Sequence, residues 1–326
     1  MNVRGIADAF IEAPIVSSFT RFGFEARRRL ADWTPLDDYD LTGRVIVITG
    51  ATSGLGYAAA EQLARCGATL VIVGRTAERN ERAVAALTAA SGNPSITQVA
   101  ADMGDFHEVR HLAERVLTDH DRLDVLIHNA GALDPQRRAA LDGTEATVAS
   151  QVVGPFLLTS LLLDRLAASA PSRVLTMSSG GMYATGLAVS DLEMPPGDYN
   201  GTEQYARAKR AQVTLNEMWA DRHRDRGVTF HALHPGWADT PGVDAGLPTF
   251  AKVMGPFLRT PEQGADTLVW LAADDSPLES NGGFWLDREP RPIHRLPTTK
   301  RTDTPDRRER LWCRVAETAE AGLSHM

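Results

Sequence analysis

Cysteine is scarce in this chain. Only Cys66 and Cys313 occur among 326 residues, and neither has a metal-type partner. That excludes a disulfide framework and fits a reducing compartment. Positive charge is not in excess either. The 34 Lys and Arg face 42 Asp and Glu, a formal charge of -8, which argues against a nucleic-acid surface. Apolar runs stop short of the roughly 18 residues that span a bilayer. The N-terminus lacks a signal-peptide layout, because Asp8 and Glu12 interrupt its apolar positions. The expectation is a cytoplasmic protein. Repeats with a period of roughly 20–50 residues, the mark of solenoids and propellers, are also missing.

Apolar residues, by contrast, make up 43% of the chain, enough for a sizeable core. Their pattern divides the chain into a body over 41–290, an N-terminal helical arm over 1–40 and a C-terminal extension over 291–326. The arm carries Ile6, Phe10, Ile11, Ile15, Val16, Phe19, Phe22 and Phe24, followed by Arg27-Arg28-Arg29. It is expected to pack on the body. The alternative is a peripheral membrane or partner contact.

From Gly43 onward, short β-branched runs alternate with helical stretches. Strands are expected at 44–49, 69–73, 96–100, 124–128, 173–177 and 228–233, with a short last one at 284–286. Helices are expected at 57–66, 77–90, 105–119, 142–168, 203–225, 261–273 and 305–322. Strands at this spacing, each followed by a helix, mean an α/β fold with a parallel sheet of about seven strands and helices on both faces.

Between the first strand and its helix lies Thr49-Gly50-Ala51-Thr52-Ser53-Gly54-Leu55-Gly56. Glycines there let the backbone turn tightly and approach a pyrophosphate, which the helix N-terminus then favours. The second strand ends in Gly74-Arg75. A dinucleotide site for NAD places an acid near this point to bind the ribose hydroxyls. This chain has a guanidinium instead, whose planar fork suits a phosphate, so NADP is the expected cofactor. Further along, Tyr205 and Lys209 stand at i and i+4 on one helical face. A cation held beside a phenol favours the phenolate and draws its pKa down towards the working range.

The order of these pieces carries a resemblance. The Thr49–Gly56 loop, Asp102 after the third strand, Asn129-Ala130-Gly131 after the fourth, Ser179 after the fifth, Tyr205/Lys209 on the next helix, and Pro235-Gly236 with Thr240 after the sixth resemble the short-chain dehydrogenase/reductase family over about residues 40–290. Three stretches, Ser178–Met182, His234–Val243 and Gln263–Thr267, look like its retinol-dehydrogenase-like branch, of the member-12 type. The likeness includes Asp287-Arg288.

The resemblance implies a Rossmann-type, doubly wound sheet and a set of roles. Tyr205 would be the acid/base at the substrate oxygen. Lys209 would hold the nicotinamide ribose and keep the phenol pKa low. Ser179 would orient the carbonyl oxygen, with Ser178 as the neighbouring candidate. Gly50, Thr52, Ser53, Gly54, Leu55 and Gly56 would cradle the phosphates, and Arg75 the 2′-phosphate. Asp102 would meet the adenine and Met103 its ring edge. Asn129, Ala130 and Gly131 would line the cleft floor, and Pro235, Gly236 and Thr240 would meet the carboxamide. Gln151 stands where relatives carry an Asn that supports a proton-relay water. The 26 residues between Ser179 and Tyr205 are long for the family, and Leu187–Thr202 is expected as a loop at the substrate mouth.

These readings give hydride transfer between NADP(H) and an alcohol/carbonyl pair. Met182, Tyr183, Leu187, Trp237 and 243–257 are expected to line a pocket for a small hydrophobic alcohol or carbonyl substrate. A different class also fits the residues: an NADP(H)-binding, redox-responsive scaffold with little turnover. Relatives pair through the helices matching 142–168 and 203–225, so a homodimer is one expectation. Cover of that surface by the terminal extensions is the other.

Overall fold

A computed structural model describes residues 8, 10–12, 15–240, 242, 246 and 248–321. Two arm helices, α1 (Ile15–Phe19) and α2 (Arg21–Ala31), come first. Alternation follows: β1 (Val45–Thr49), α3 (Gly54–Arg65), β2 (Thr69–Gly74), α4 (Ala77–Ser91), β3 (Ile96–Ala100), α5 (Phe106–Asp119) and β4 (Val125–His128). Then come α6 (Ala146–Ala168), β5 (Ser172–Met177), α7 (Gly201–Arg222), β6 (Val228–Leu233), α8 (Pro248–Met254) and α9 (Pro261–Ala273). The chain closes with β7 (Phe284–Leu286), β8 (Glu289–Pro290), α10 (Pro297–Thr302) and α11 (Pro305–Ala321).

The sheet order is β3-β2-β1-β4-β5-β6-β7-β8. The pairings are parallel as far as β7, and β8 joins antiparallel. This is the doubly wound, Rossmann-type sheet, with one two-residue strand beyond the expected seven. Successive residues of a strand feed opposite cores. Val45 and Val47 belong to one, Ile46 and Ile48 to the other, and Val71/Val73 against Leu70/Ile72 repeat the pattern. Both faces are buried, which is why these strands read as unbroken β-branched runs. The strand order reverses between β1 and β4, and that opens a crevice at their carboxyl ends.

Helix α6 departs from expectation twice. It begins at Ala146, and its turn Ala149–Val153 is wound as a π-helix around Gln151. It is also long and apolar enough by composition to cross a membrane, with mean hydropathy 1.6 over its best window. Thr159, Ser160 and Asp164 break its apolar run in sequence. Yet 72% of that window is buried inside the protein, as in a core helix.

Both terminal extensions are docked. Arm residues Gly23, Phe24 and Arg27 are buried in α2, whereas Phe10 and Phe22 stay exposed. Helix α11 buries Leu311, Val315 and Ala319. It lies across α6 and α7, where Trp312 packs 4.9 Å from Phe156 and 4.8 Å from Trp219, ring centre to ring centre. The extension thus occupies part of the helix pair that was expected to mediate pairing. Deleting 305–326 uncovers these aromatic rings. The full chain is expected to run as a monomer by light scattering and the truncated one to self-associate. A full-length dimer of unchanged mass after truncation would show that α11 does not govern assembly.

Candidate active site

The glycine loop is shaped by close packing at the crevice. Gly50 takes φ +70°, and a Cβ there would lie 2.7 Å from Ala130 Cα. A Cβ on Gly56 would lie 2.2 Å from Gly50 O and 2.3 Å from Asn129 Nδ2. Thr49 and Asn129 fasten the loop to β4. Asn129 Nδ2 donates to Thr49 O at 3.0 Å and Gly50 O at 3.1 Å, and Thr49 Oγ1 accepts from the Asn129 and Ala130 amides at 3.1 Å. Helix α3 begins at Gly54, and Ser53 makes no side-chain cap bond. Its first-turn N–H groups therefore lack a side-chain partner at the N-cap, as an anion site requires. Thr52 and Leu55 are only partly buried; they pack against Gly74 and Gly264.

Arg75 is exposed at the end of β2 and makes no ion pair with a described residue. The loop below it is fixed by buried Asn80, whose Nδ2 donates to Gly74 O at 3.1 Å and Val99 O at 3.0 Å. Arg79 is a second exposed guanidinium, on the first turn of α4. Sequence reasoning passed over it. Asp102 is half-buried, and one of its oxygens accepts from the Gly104 amide at 2.9 Å. Met103 differs from expectation. It is 4% exposed and belongs to the core, so its side chain supports the cleft from beneath instead of standing beside a ring.

At the other end, β5 delivers Ser178 and Ser179 to different tasks. Ser178 is buried, and its hydroxyl donates to Lys209 O at 3.0 Å. Ser179 is half-buried and caps the turn Gly180–Ala184 by accepting from the Gly181 amide at 3.1 Å. Its hydroxyl stands near enough to the Tyr205 phenol to lower the phenol pKa. Lys209 Nζ lies 5.3 Å from the Tyr205 ring centre and donates to Met177 O at 3.0 Å. Gln151 joins them. A Cβ placed on Gly131 would meet Gln151 Oε1 at 2.9 Å and Lys209 Nζ at 3.2 Å, so both atoms face one point. Gln151 Nε2 donates to Ala132 O at 2.7 Å.

The electrostatics differ from the simple reading of the pair. Burial pushes the Tyr205 phenol up to about 12, against a lowering by Ser179. Burial also brings Lys209 down to about 7. Each shift favours the neutral form. Burial thus draws both groups towards their neutral forms.

The wall after β6 is built from distant segments. Gly236 takes φ +73°, and a Cβ there would lie 2.4 Å from Arg259 Nε. Arg259 Nη1 donates to Pro235 O at 3.2 Å. Thr240 is half-buried beyond them. Met182, Tyr183 and Leu187 are 0%, 5% and 1% exposed, which places them in the core, not in a pocket. The phenol of Tyr183 donates to Pro292 O at 2.9 Å. Phe19 of the arm, 3% exposed, joins Met182 and Tyr183 in that core, packing against Gly180 and lying 5.7 Å from Trp237. Phe250 lies 5.2 Å beyond Trp237. Residues 243–245 and 247 of the expected pocket lie outside the described residues.

The short chain dehydrogenase family model matches residues 44–246. Human dehydrogenase/reductase SDR family member 12 is 36% identical over 90% of this chain and 91% of its own length. The chain belongs to the short-chain dehydrogenase family. Mouse retinol dehydrogenase 13 is 30% identical over 87% of this chain and 86% of its own. A solved structure of an uncharacterised protein from Mycobacterium paratuberculosis superposes with a TM-score of 0.70, at 26% identity, over 88% of this chain and 97% of that one. A short-chain dehydrogenase from Burkholderia cenocepacia in complex with NADP has a TM-score of 0.61 at 24% identity, over 75% and 96%.

For this short-chain dehydrogenase, the residues fit a dinucleotide: a glycine cradle that a Cβ would fill, an uncapped helix N-terminus and an unpaired guanidinium. The buried amine also makes a pH signature. Between about pH 7 and the ordinary lysine value of 10.5, Lys209 carries a proton in the unfolded chain that it lacks in the folded one. Its contribution to stability therefore rises with pH across that window. Urea midpoints of the wild type should rise from pH 7 to 10 relative to those of Lys209→Met. A constant difference between the two proteins would contradict a weakened amine.

Proposed function

We propose that this oxidoreductase transfers a hydride reversibly between NADP(H) and the alcohol/carbonyl pair of a hydrophobic substrate. The observation that carries it is the half-buried Tyr205 phenol at the cleft, with buried Lys209 Nζ 5.3 Å from its ring and Ser179 at the end of β5 beside it. Bound NADPH would supply the hydride. Ser179 and Tyr205 would then hold the carbonyl oxygen where negative charge develops. A phenol pushed up to about 12 stays protonated at neutral pH, which suits a donor. The alkoxide formed is a stronger base than a phenolate and takes the proton.

Arg75 supports NADP over NAD, because the end of β2 offers an unpaired fork and no carboxylate. The partly buried Trp237 and Phe250, whose rings lie 5.2 Å apart, support a hydrophobic substrate, as does the likeness to a retinol dehydrogenase.

Tyr205→Phe is expected to bind NADPH normally and to lose about 10²- to 10⁴-fold in kcat. NADPH oxidation over aldehydes and ketones of increasing chain length, with fluorescence titration of NADPH, measures both. Surviving turnover would remove Tyr205 from this role. A wild type that binds NADPH and reduces nothing would point to a binding function instead. Arg75→Ala should weaken NADPH about tenfold and leave NADH nearly unchanged. Equal wild-type affinity for the two cofactors would sink the preference.

A further inference from the structure

Four of the eight large apolar side chains that stay exposed among the described residues stand on two elements far apart in sequence. Phe22 and Leu30 belong to arm helix α2. Val253 belongs to α8, and Phe257 to the turn Gly255–Phe257 that follows it. Phe22 is 59% exposed and Phe257 43%, yet their ring centres lie 6.2 Å apart. The two rings meet each other and still face solvent. On α2 the spacing explains the display. Phe22, Ala26 and Leu30 follow at intervals of four and share the outward face with Arg29, while Gly23, Phe24 and Arg27 turn into the protein.

The charge on this face is mostly of one sign. Arg21, Arg28, Arg29 and Lys252 are all exposed. Arg21 reaches over the Phe22 ring, its Cζ 5.7 Å from the centre. Arg28 is paired with Glu25, whose second oxygen accepts from Gln263 at 2.9 Å. Arg21, Arg29 and Lys252 have no acidic partner among the described residues. The next exposed acids in sequence, Asp32 and Glu262, lie past the ends of these segments. An unbalanced basic face stands out on a chain whose formal charge is -8.

We propose that this face docks on the surface of an anionic lipid bilayer. Rings and aliphatic side chains mixed with arginine and lysine are the composition of an interfacial helix. The apolar groups enter the boundary between headgroups and acyl chains, and the long basic side chains reach back to lipid phosphates. A protein partner suits the face less well, because the cores of protein interfaces are depleted in charge, and in lysine especially. Here the charges stand among the apolar side chains, with Arg21 over Phe22, Arg29 next to Leu30 and Lys252 next to Val253. The contact is peripheral. Helix α2 has 11 residues, about 16 Å of length, against a hydrocarbon core of about 30 Å, and its other face is buried. Helix α8 also carries Phe250, whose ring lies 5.2 Å from Trp237, so the docked face adjoins the wall after β6. The inference holds whether or not the reductase reading does.

Flotation of the full chain with vesicles tests it. The chain should bind phosphatidylcholine–phosphatidylserine vesicles, bind phosphatidylcholine alone weakly, and lose binding as salt rises. Arg29→Gln and Lys252→Gln should each lower the partition coefficient about fivefold. Phe22→Ser combined with Phe257→Ser should lower it more than about tenfold. A thermal melt checks that these surface variants stay folded. Phe257→Trp keeps the face apolar if the serine pair fails that check. Its added fluorescence should be quenched by brominated lipid in the mixed vesicles. Failure to bind either kind of vesicle overturns the proposal and leaves the rings to a protein partner. Undiminished binding by the folded serine pair, or an unquenched Phe257→Trp on bound protein, overturns it as well, because the lipid contact would then lie elsewhere.

Discussion

A buried carboxylate, Asp287, holds the cleft wall together. It is 0% exposed. Burial alone would raise its pKa, but Arg259 and Arg27 reverse that and hold it below the usual carboxylate range. Arg259 engages both of its oxygens, at 2.5 and 2.9 Å, and Arg27 Nη1 adds a third bond at 2.7 Å. The remaining Arg259 donors reach Phe19 O, Ser18 O and Pro235 O. One carboxylate thereby fixes the arm, the Pro235-Gly236 turn and the end of β7 against one another. A charge buried this deeply is tolerable only while its partners stay in place, so three distant segments are tied to one geometry.

The catalytic pair shows a different balance. Tyr205 keeps part of its surface in the cleft, whereas Lys209 is 2% exposed. Burial that positions the amine also weakens its charge. The same burial keeps the phenol protonated. Position and polarity are therefore not independent choices at this site.

Much of this was legible from the residues. Strands buried on both faces must be continuously apolar, so their limits were readable to within a residue. Gly50 and Gly56 were readable because the backbone there admits no Cβ. Tyr205, Lys209 and Ser179 followed from helical spacing and chain order. Contacts that join segments far apart in sequence were not readable. Nothing around Arg259 marks it as the partner of Asp287, and nothing around Phe19 marks it as a neighbour of Gly180. Met182, Tyr183 and Leu187 read as pocket residues because hydrophobicity does not distinguish a pocket from a core. The π turn at Gln151 has no periodicity signal over a single turn.

The bond from Arg27 to Asp287 spans 260 residues, and this orders events during synthesis. Strands β1 to β4 with the glycine loop lie within the first half of the chain and can pair as it emerges. The arm is made first, yet its carboxylate partner leaves the ribosome near the end. Closing so long a loop is entropically costly until the intervening sheet shortens it. The sheet around the glycine loop can therefore form before the cleft wall, which is complete only once Asp287 meets Arg27.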